Sequence, residues 1–174
     1  MHNVSLDTNA MLDLCYRFYP KSMFANVWSY LSIQMQQHHF TFYLSSTNQD
    51  ECIKKIEQFG YEQIVFEDFI NMMRVQVIER DDFGDSVIHI QKALSRHTHF
   101  AKSVHATKAE EDVDMIALAR HIKGTALTSE RGFGKDNHTK QSKSSPKIPD
   151  ICEVVTVNCM DWVAFFRQLG MQFN

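Results

Sequence analysis

The stretch Ala109–Glu130, AEEDVDMIALARHIKGTALTSE, decides the fold. It opens with acids, carries Met115, Ile116, Ala119 and Ile122 at helical spacing, passes through Gly124 and ends in Thr128-Ser129-Glu130. That order predicts an amphipathic helix followed by a short buried strand with a polar end. Asp112 stands three and four residues before Met115 and Ile116, in register with the apolar stripe. A carboxylate on such a stripe is expensive to bury unless a cation or donor meets it. The simpler reading is a first-turn acid favoured by the helix dipole, and this helix alone does not separate the two.

Working outward, the N-terminal segment has Val4 and Leu6 apolar, then Asp7-Thr8-Asn9, then Met11, Leu12, Leu14 and Cys15 at helical spacing. The pattern predicts strand, polar corner, helix. In open parallel α/β sheets the crevice beyond the carboxyl ends of the strands is where sites form, which puts Asp7 in it. Helix capping is the alternative, and it explains one polar residue more easily than three. Pro20 breaks the chain. Met23–Gln36, with Phe24, Val27, Trp28, Leu31 and Met35, predicts a packing helix. Phe40–Leu44 predicts a second strand. Ser46-x-x-Gln49 then forms a capping box before a helix that buries Cys52, Ile53, Ile56 and Phe59 and ends at Gly60. Glu51 lies early in that helix, off its stripe, with Lys54 and Lys55 placed for ordinary ion pairs and Asp50 as a competitor.

Residues 61–100 read as mostly helical, the run Val75–Ile78 included. The acidic corner Asp81-Asp82-Phe83-Gly84-Asp85 lacks EF-hand spacing and reads as a helix cap. His89, His97, His99 and His105 lack a clean ligand spacing. Thr107-x-x-Glu110 is a second capping box, which starts the helix of Asp112. From Arg131 to Lys147 the chain is polar, with Arg131, Lys135, Lys140, Lys143 and Lys147 against Asp136. It reads as a mobile basic loop, either simply solvated or an arm that contacts phosphate. A short segment Ile148–Val154, a last strand Val155–Cys159 and a closing helix with Trp162, Val163, Phe165, Phe166 and Leu169 complete the chain.

The whole composition sets bounds. A length of 174 residues with 44% hydrophobic content suits one globular domain with a sizeable core. A net charge of -3 excludes a generally basic surface, so nucleic-acid contact must come from a local patch. Asp7, Asp13, Arg17 and Lys21 interrupt the first thirty residues, which leaves no apolar run for a signal peptide or a membrane span and predicts a cytoplasmic protein. Cys15, Cys52, Cys152 and Cys159 show no C-x-x-C spacing and read as free thiols. No internal repeat or second domain is evident.

The strand and helix alternation gathers Asp7, Glu51, Asp112 and Glu130 at one end of a parallel sheet. Four carboxylates cannot crowd together ionised without cations, and such hard oxygen donors suit Mg²⁺ or Mn²⁺. Ions of this kind polarise a phosphodiester, lower the pKa of bound water and stabilise the leaving oxygen; two ions about 4 Å apart clamp both oxygens of an in-line displacement. Thr8 or Asn9 would orient the attacking water or hold Asp7 in place, and Thr128 is placed for the same task.

Leu6-Asp7-Thr8-Asn9, Asp112 in DVDMIALA, and Ala126-Leu127-Thr128-x-Glu130 resemble the three main motifs of PIN-domain nucleases. Glu51 before Cys52-Ile53 is similar to the acid which that family places near the start of the helix after its second strand. The tail Lys147–Cys152, KIPDIC, with the aromatic helix after it, resembles a poorly characterised bacterial and archaeal PIN-like subfamily. The resemblance spans essentially the whole chain and is weak only between residues 61 and 105. It implies a three-layer α/β/α fold with a mostly parallel sheet of four to five strands. It also implies a divalent-metal ribonuclease, often the toxin of a toxin–antitoxin pair. Asp7, Glu51 and Asp112 match the family's metal-binding acids, and Glu130 stands where aspartate is usual. Asp114 matches no family acid and is expected on the helix surface, while Asp150 would join the site or cap its own segment. Arg131, Lys135 and Lys147 are the expected phosphate contacts. A homodimer is expected to use exposed aromatics such as Trp28 or Phe100.

Competing readings are a catalytically silent PIN-like module that binds RNA or protein, and an aspartyl-phosphate phosphohydrolase. Asn9 argues against the latter, because it stands where that chemistry wants a second aspartate. No G-x-G-x-x-G follows any strand, which disfavours a dinucleotide enzyme.

Overall fold

The computed structural model describes residues 2–96, 110–132 and 147–171. His97, His99, Phe100, His105, Thr107 and most of the basic loop, Lys135 included, lie outside the described residues. In order the chain forms β1 (His2–Leu6), α1 (Thr8–Leu12) running into a π-helical turn (Asp13–Arg17), α2 (Ala25–Gln36), β2 (Phe40–Ser45), α3 (Ser46–Phe59), α4 (Gln63–Met72) and β3 (Gln76–Ile78). A 3₁₀ turn (Arg80–Phe83) follows, then α5 (Gly84–Arg96), α6 (Glu110–His121), β4 (Thr125–Leu127), α7 (Ile148–Val155), β5 (Asn158–Met160) and α8 (Trp162–Gln168). The strands make one parallel sheet in the order β3-β2-β1-β4-β5, with helices on both faces. This is the three-layer α/β/α arrangement expected from the sequence.

Period-two alternation assigns the two faces. Val4, Leu6, Phe40, Phe42, Leu44 and Leu127 pack against α1–α4 and α8 in one core. Tyr43, Ile78, Ala126 and Cys159 turn to the opposite core of α5, α6 and α7. The first core is aromatic: Phe42 lies near Phe40, Phe69, Trp162 and Phe165 with ring centroids 4.5 to 6.0 Å apart. Chain direction explains the division, since right-handed crossovers from β1 to β2 to β3 put helices on one face and the reverse step to β4 puts them on the other.

Helix α6 sits against the centre of the sheet with every residue from Val113 to Ala119 buried. Small residues allow this: Ala117 and Ala119 on the helix, and Ser5 and Ala126, which are paired across β1 and β4. Ser5 Oγ donates to Met115 O at 2.8 Å, so the one polar atom on that contact is satisfied. The chain then crosses back beside β1 at Gly124, where a Cβ would stand 2.3 Å from Asn3 O. Only glycine permits that approach.

The structure corrects several expectations. Gln76–Ile78 is a strand, where Val75–Ile78 read as helical; three residues are too few to display a period of two. The last strand is Asn158–Met160 and not Val155–Cys159, because α7 runs through Val155 and ends at Thr156 in the left-handed region, φ 58°. Ser45, and not Ser46, caps α3 by accepting from Asn48 N, while Gly60 closes it with φ 67° as expected. Trp28 is buried at 1% exposure, its Nε1 donating to Tyr19 O, so it offers no dimer surface. All four cysteines are free, as expected, with Cys159 only half-buried. Among the described residues no helix is long and apolar enough to cross a membrane.

Candidate functional site

Strand order reverses between β1 and β4: from β1 the chain proceeds outward to β2 and β3, whereas β4 and β5 lie on its other side. In open parallel sheets the two following loops diverge at such a point and leave a crevice outside the carboxyl ends of the strands. Asp7 follows β1 and Thr128-Ser129-Glu130 follows β4, so motifs 121 positions apart in the sequence meet here.

Asp7 is 2% exposed. It occupies the N-cap position of α1 yet completes no side-chain capping bond, although the Asn9 N–H is near enough to favour its charged form. Its Oδ2 instead accepts from Thr128 Oγ1 at 2.9 Å, and the same hydroxyl accepts from Glu130 N at 3.1 Å. Capping therefore does not explain Asp7. Thr128 holds its carboxylate in the crevice.

Glu51 arrives from the first half of α3. Thr8 Oγ1 donates to Glu51 Oε2 at 2.5 Å and accepts from Asn48 Nδ2 at 3.3 Å, while Lys55 Nζ lies 2.9 Å from Glu51 Oε1. The ion pair with Lys55 is the ordinary one expected from the spacing, and Glu51 is nonetheless tied to the corner after β1. Asp50, its competitor in sequence, is exposed on the same helix.

Asp112 lies half-buried in the first turn of α6. Burial is the main reason its pKa is pushed up to about 7, and the charges of Asp7, Glu130, Glu51 and Glu111 add to it. Asp7 is likewise pushed up to about 6, mainly by burial, with Glu130 and Glu51 adding to the rise and the Thr128 hydroxyl opposing it. The four expected acids thus share one electrostatic neighbourhood, each from a different element.

Whether they suit a divalent cation turns on the donor set. Four carboxylates beside hydroxyls are hard oxygen donors of the kind Mg²⁺ and Mn²⁺ take. Among the described residues, no three Asp, Glu, His or Cys side chains already converge as ligands. The reason is visible at both flanks. Glu51 is drawn to Lys55, and Glu130 to Lys147 Nζ at 3.2 Å and to the Ile148 N–H at 3.0 Å. An ion entering between Asp7 and Asp112 would compete with two ammonium groups for the glutamates.

Lys147 is therefore a partner of Glu130 in the described structure, and Arg131 is exposed beside the site. Asp150 caps its own helix, accepting from Lys147 N at 3.1 Å, with Gly132 pressed close to its carboxylate. Asp114 is not on the helix surface as expected: it is fully buried, accepts from Thr47 Oγ1 at 2.9 Å and faces Arg80 Nε at 3.1 Å. Arg80 also pairs with Glu110, so one guanidinium ties the 3₁₀ turn to the start of α6. Burial raises the Asp114 pKa, while Thr47 and Arg80 oppose the rise.

Sequence reasoning missed Asn48, which is 1% exposed and orients Thr8. Its only signal was an amide three residues after Ser45 at a helix start. It also missed the cleft that continues from Glu130, lined by Asn9, Asp13, Arg17, Phe18 and Ser129. No curated protein matches the sequence. Residues 4–173 match the family described as a domain of unknown function, DUF4411, and the chain belongs to that family.

Proposed function

We propose that the protein is a Mg²⁺- or Mn²⁺-dependent endoribonuclease whose acids are Asp7, Glu51, Asp112 and Glu130. The observation that carries this reading is that four carboxylates share one electrostatic neighbourhood at the switch point of a parallel sheet, with the carboxyls of Asp7 and Asp112 both raised, chiefly by burial and further by the other acids. Structural acids are usually paired off; a cluster that repels itself is suited to a cation. When bound, the ion supplies Lewis-acid polarisation of the phosphodiester and a nucleophilic hydroxide at neutral pH.

The chain's own residues have separate tasks. Thr128 fixes the Asp7 carboxylate, and Thr8, itself set by Asn48, fixes Glu51. Asn9 lines the adjoining cleft, where its amide can position water or substrate. Lys147 and Arg131 bring positive charge to the rim, and Lys147 is free to meet phosphate once Glu130 turns inward. The toxin role and an antitoxin partner follow from the PIN resemblance and belong to the same proposal.

A second reading, a catalytically silent module that binds RNA or protein, is favoured by one observation: Lys55 and Lys147 already neutralise two of the four acids without metal. Two measurements separate the readings. Calorimetric titration with Mn²⁺ should show binding that strengthens as pH rises through about 7, where Asp112 loses its proton, and that is lost in Asp112→Asn. Cleavage of a mixed RNA panel with Mn²⁺ should be abolished by Asp7→Asn. Unchanged Mn²⁺ binding in Asp112→Asn would sink the metal site, and an RNA panel left intact by the wild-type protein would favour the silent module.

A further inference from the structure

Beyond Asn9, the residues that line the cleft beside Glu130 have no task in the chemistry above. The cleft is an open recess of ≈ 280 Å³ lined by Asn9, Asp13, Arg17, Phe18, Ser129 and Glu130. Glu130 belongs both to the acid cluster and to this recess, so a strand whose phosphate lay at the acids would carry its neighbouring nucleotide into it. Phe18 is 63% exposed and belongs to neither core cluster, so its ring is open to a ligand. Arg17 beside it is held in place: its guanidinium lies 3.4 Å from Asp13 Oδ1 and its Cζ lies 5.6 Å from the centroid of the Phe59 ring. Both residues leave the π-helical turn Asp13–Arg17, whose Leu14 and Cys15 are buried and whose extra residue per turn re-aims the side chains after it. Such turns recur at functional positions.

We propose that this recess is the subsite for one unpaired nucleotide of a single-stranded RNA, with the Phe18 ring stacking on the base and Arg17 contacting the adjoining phosphate. The inference rests on the nuclease reading and adds to it a nucleotide subsite formed by Phe18 and Arg17. An exposed phenyl ring offers every base a π-face irrespective of sequence, and the Arg17 guanidinium, paired with Asp13 through one nitrogen, has further N–H groups with which to donate to a phosphate oxygen. A base within an A-form duplex is stacked on both sides and cannot present that face, so the subsite selects strands over duplexes.

The test compares cleavage of a fluorescein-labelled single-stranded RNA, and of the same strand annealed to its complement, by wild type, Phe18→Ala and Phe18→Trp in Mn²⁺. Wild type should cut the single strand preferentially. Phe18→Ala should lower kcat/KM on the single strand by about tenfold, the order of one base–aromatic stack, with an unchanged melting temperature because the ring is exposed, and Phe18→Trp should restore it. An abasic scan of the strand should reveal one position at which wild type and Phe18→Ala cut equally well. If wild type cleaves but Phe18→Ala stays within twofold of it, the subsite is refuted and the nuclease reading stands. If wild type cleaves neither RNA, the nuclease reading falls and takes the subsite with it.

Discussion

Replacing Asp7 with asparagine removes the most deeply buried carboxylate of the cluster while keeping an oxygen to accept from Thr128, and should stabilise the metal-free protein. The Asp7 carboxyl rises from 3.8 to about 6 on folding, chiefly through burial. The folded state therefore binds this proton more tightly than the unfolded state does. Its contribution to stability is complete below about pH 4 and is lost as pH climbs through about 6. Above that the ionised group disfavours the fold by about 3 kcal/mol. Asparagine has no such penalty, and after allowance for a less well matched amide the expected gain at pH 8 is about 1–3 kcal/mol. For a chain of this size that is a rise in Tm of roughly 3–10 °C. Thermal melts of wild type and Asp7→Asn in EDTA, at pH 8 and pH 4, measure it; the advantage should shrink at the lower pH. Added Mn²⁺ should raise the wild-type Tm by mass action and leave the variant unmoved. A variant less stable than wild type at pH 8, or a gain of equal size at both pH values, would refute the argument that Asp7 is held ionised at the expense of the fold.

Two further outcomes follow from the hydrogen bonds and ion pairs. Arg80→Ala should destabilise the protein by about 2 kcal/mol or more in urea melts, because it leaves the fully buried Asp114 with Thr47 as its remaining partner. The loss should grow with pH as Asp114 is forced to ionise, and Asp114→Asn in the same chain should recover most of it; equal losses at acid and alkaline pH would count against the pairing. Thr128→Val removes the hydroxyl that favours the charged form of Asp7, so the Asp7 carboxyl resonance in carbon NMR should titrate above its wild-type value of about 6; a midpoint at or below wild type would show that Thr128 does not hold this group.

Legibility in the sequence followed the length of each pattern. Strands β1 and β2, with five and six residues, could be read from alternation, as could α2, α3 and α8 from their apolar stripes. Strands β3 and β5 have three residues each, too few for a period, and one was read as helix while the other was displaced. Asp7, Asp112 and Glu130 drew notice in the sequence because each stands near an element's end, whereas Glu51, the sixth residue of α3, was singled out through the PIN resemblance. Asp114 was not legible: it is two residues from Asp112 on the same helix, and only the arrival of Arg80 and Thr47 from other elements makes its burial tolerable. Asn48, Arg17 and Phe18 carried no pattern, since their roles arise from a helix cap and a π-helical turn that spacing does not announce.

The hydrogen bond from Thr128 to Asp7 joins residues 121 positions apart. Strand β4 pairs with β1 on the side opposite β2, and it follows β2 and β3 in the chain. A ribosome that has released the first 96 residues has delivered Asp7 and Glu51 but neither Asp112 nor Glu130. The emerging chain thus holds half of its acids, lacks the hydroxyl that orients the first of them, and has no neighbour for β1 on that edge. For a protein proposed to cut RNA, the order of the elements delays the candidate site: Asp112 and Glu130 are synthesised only after β1, β2 and β3.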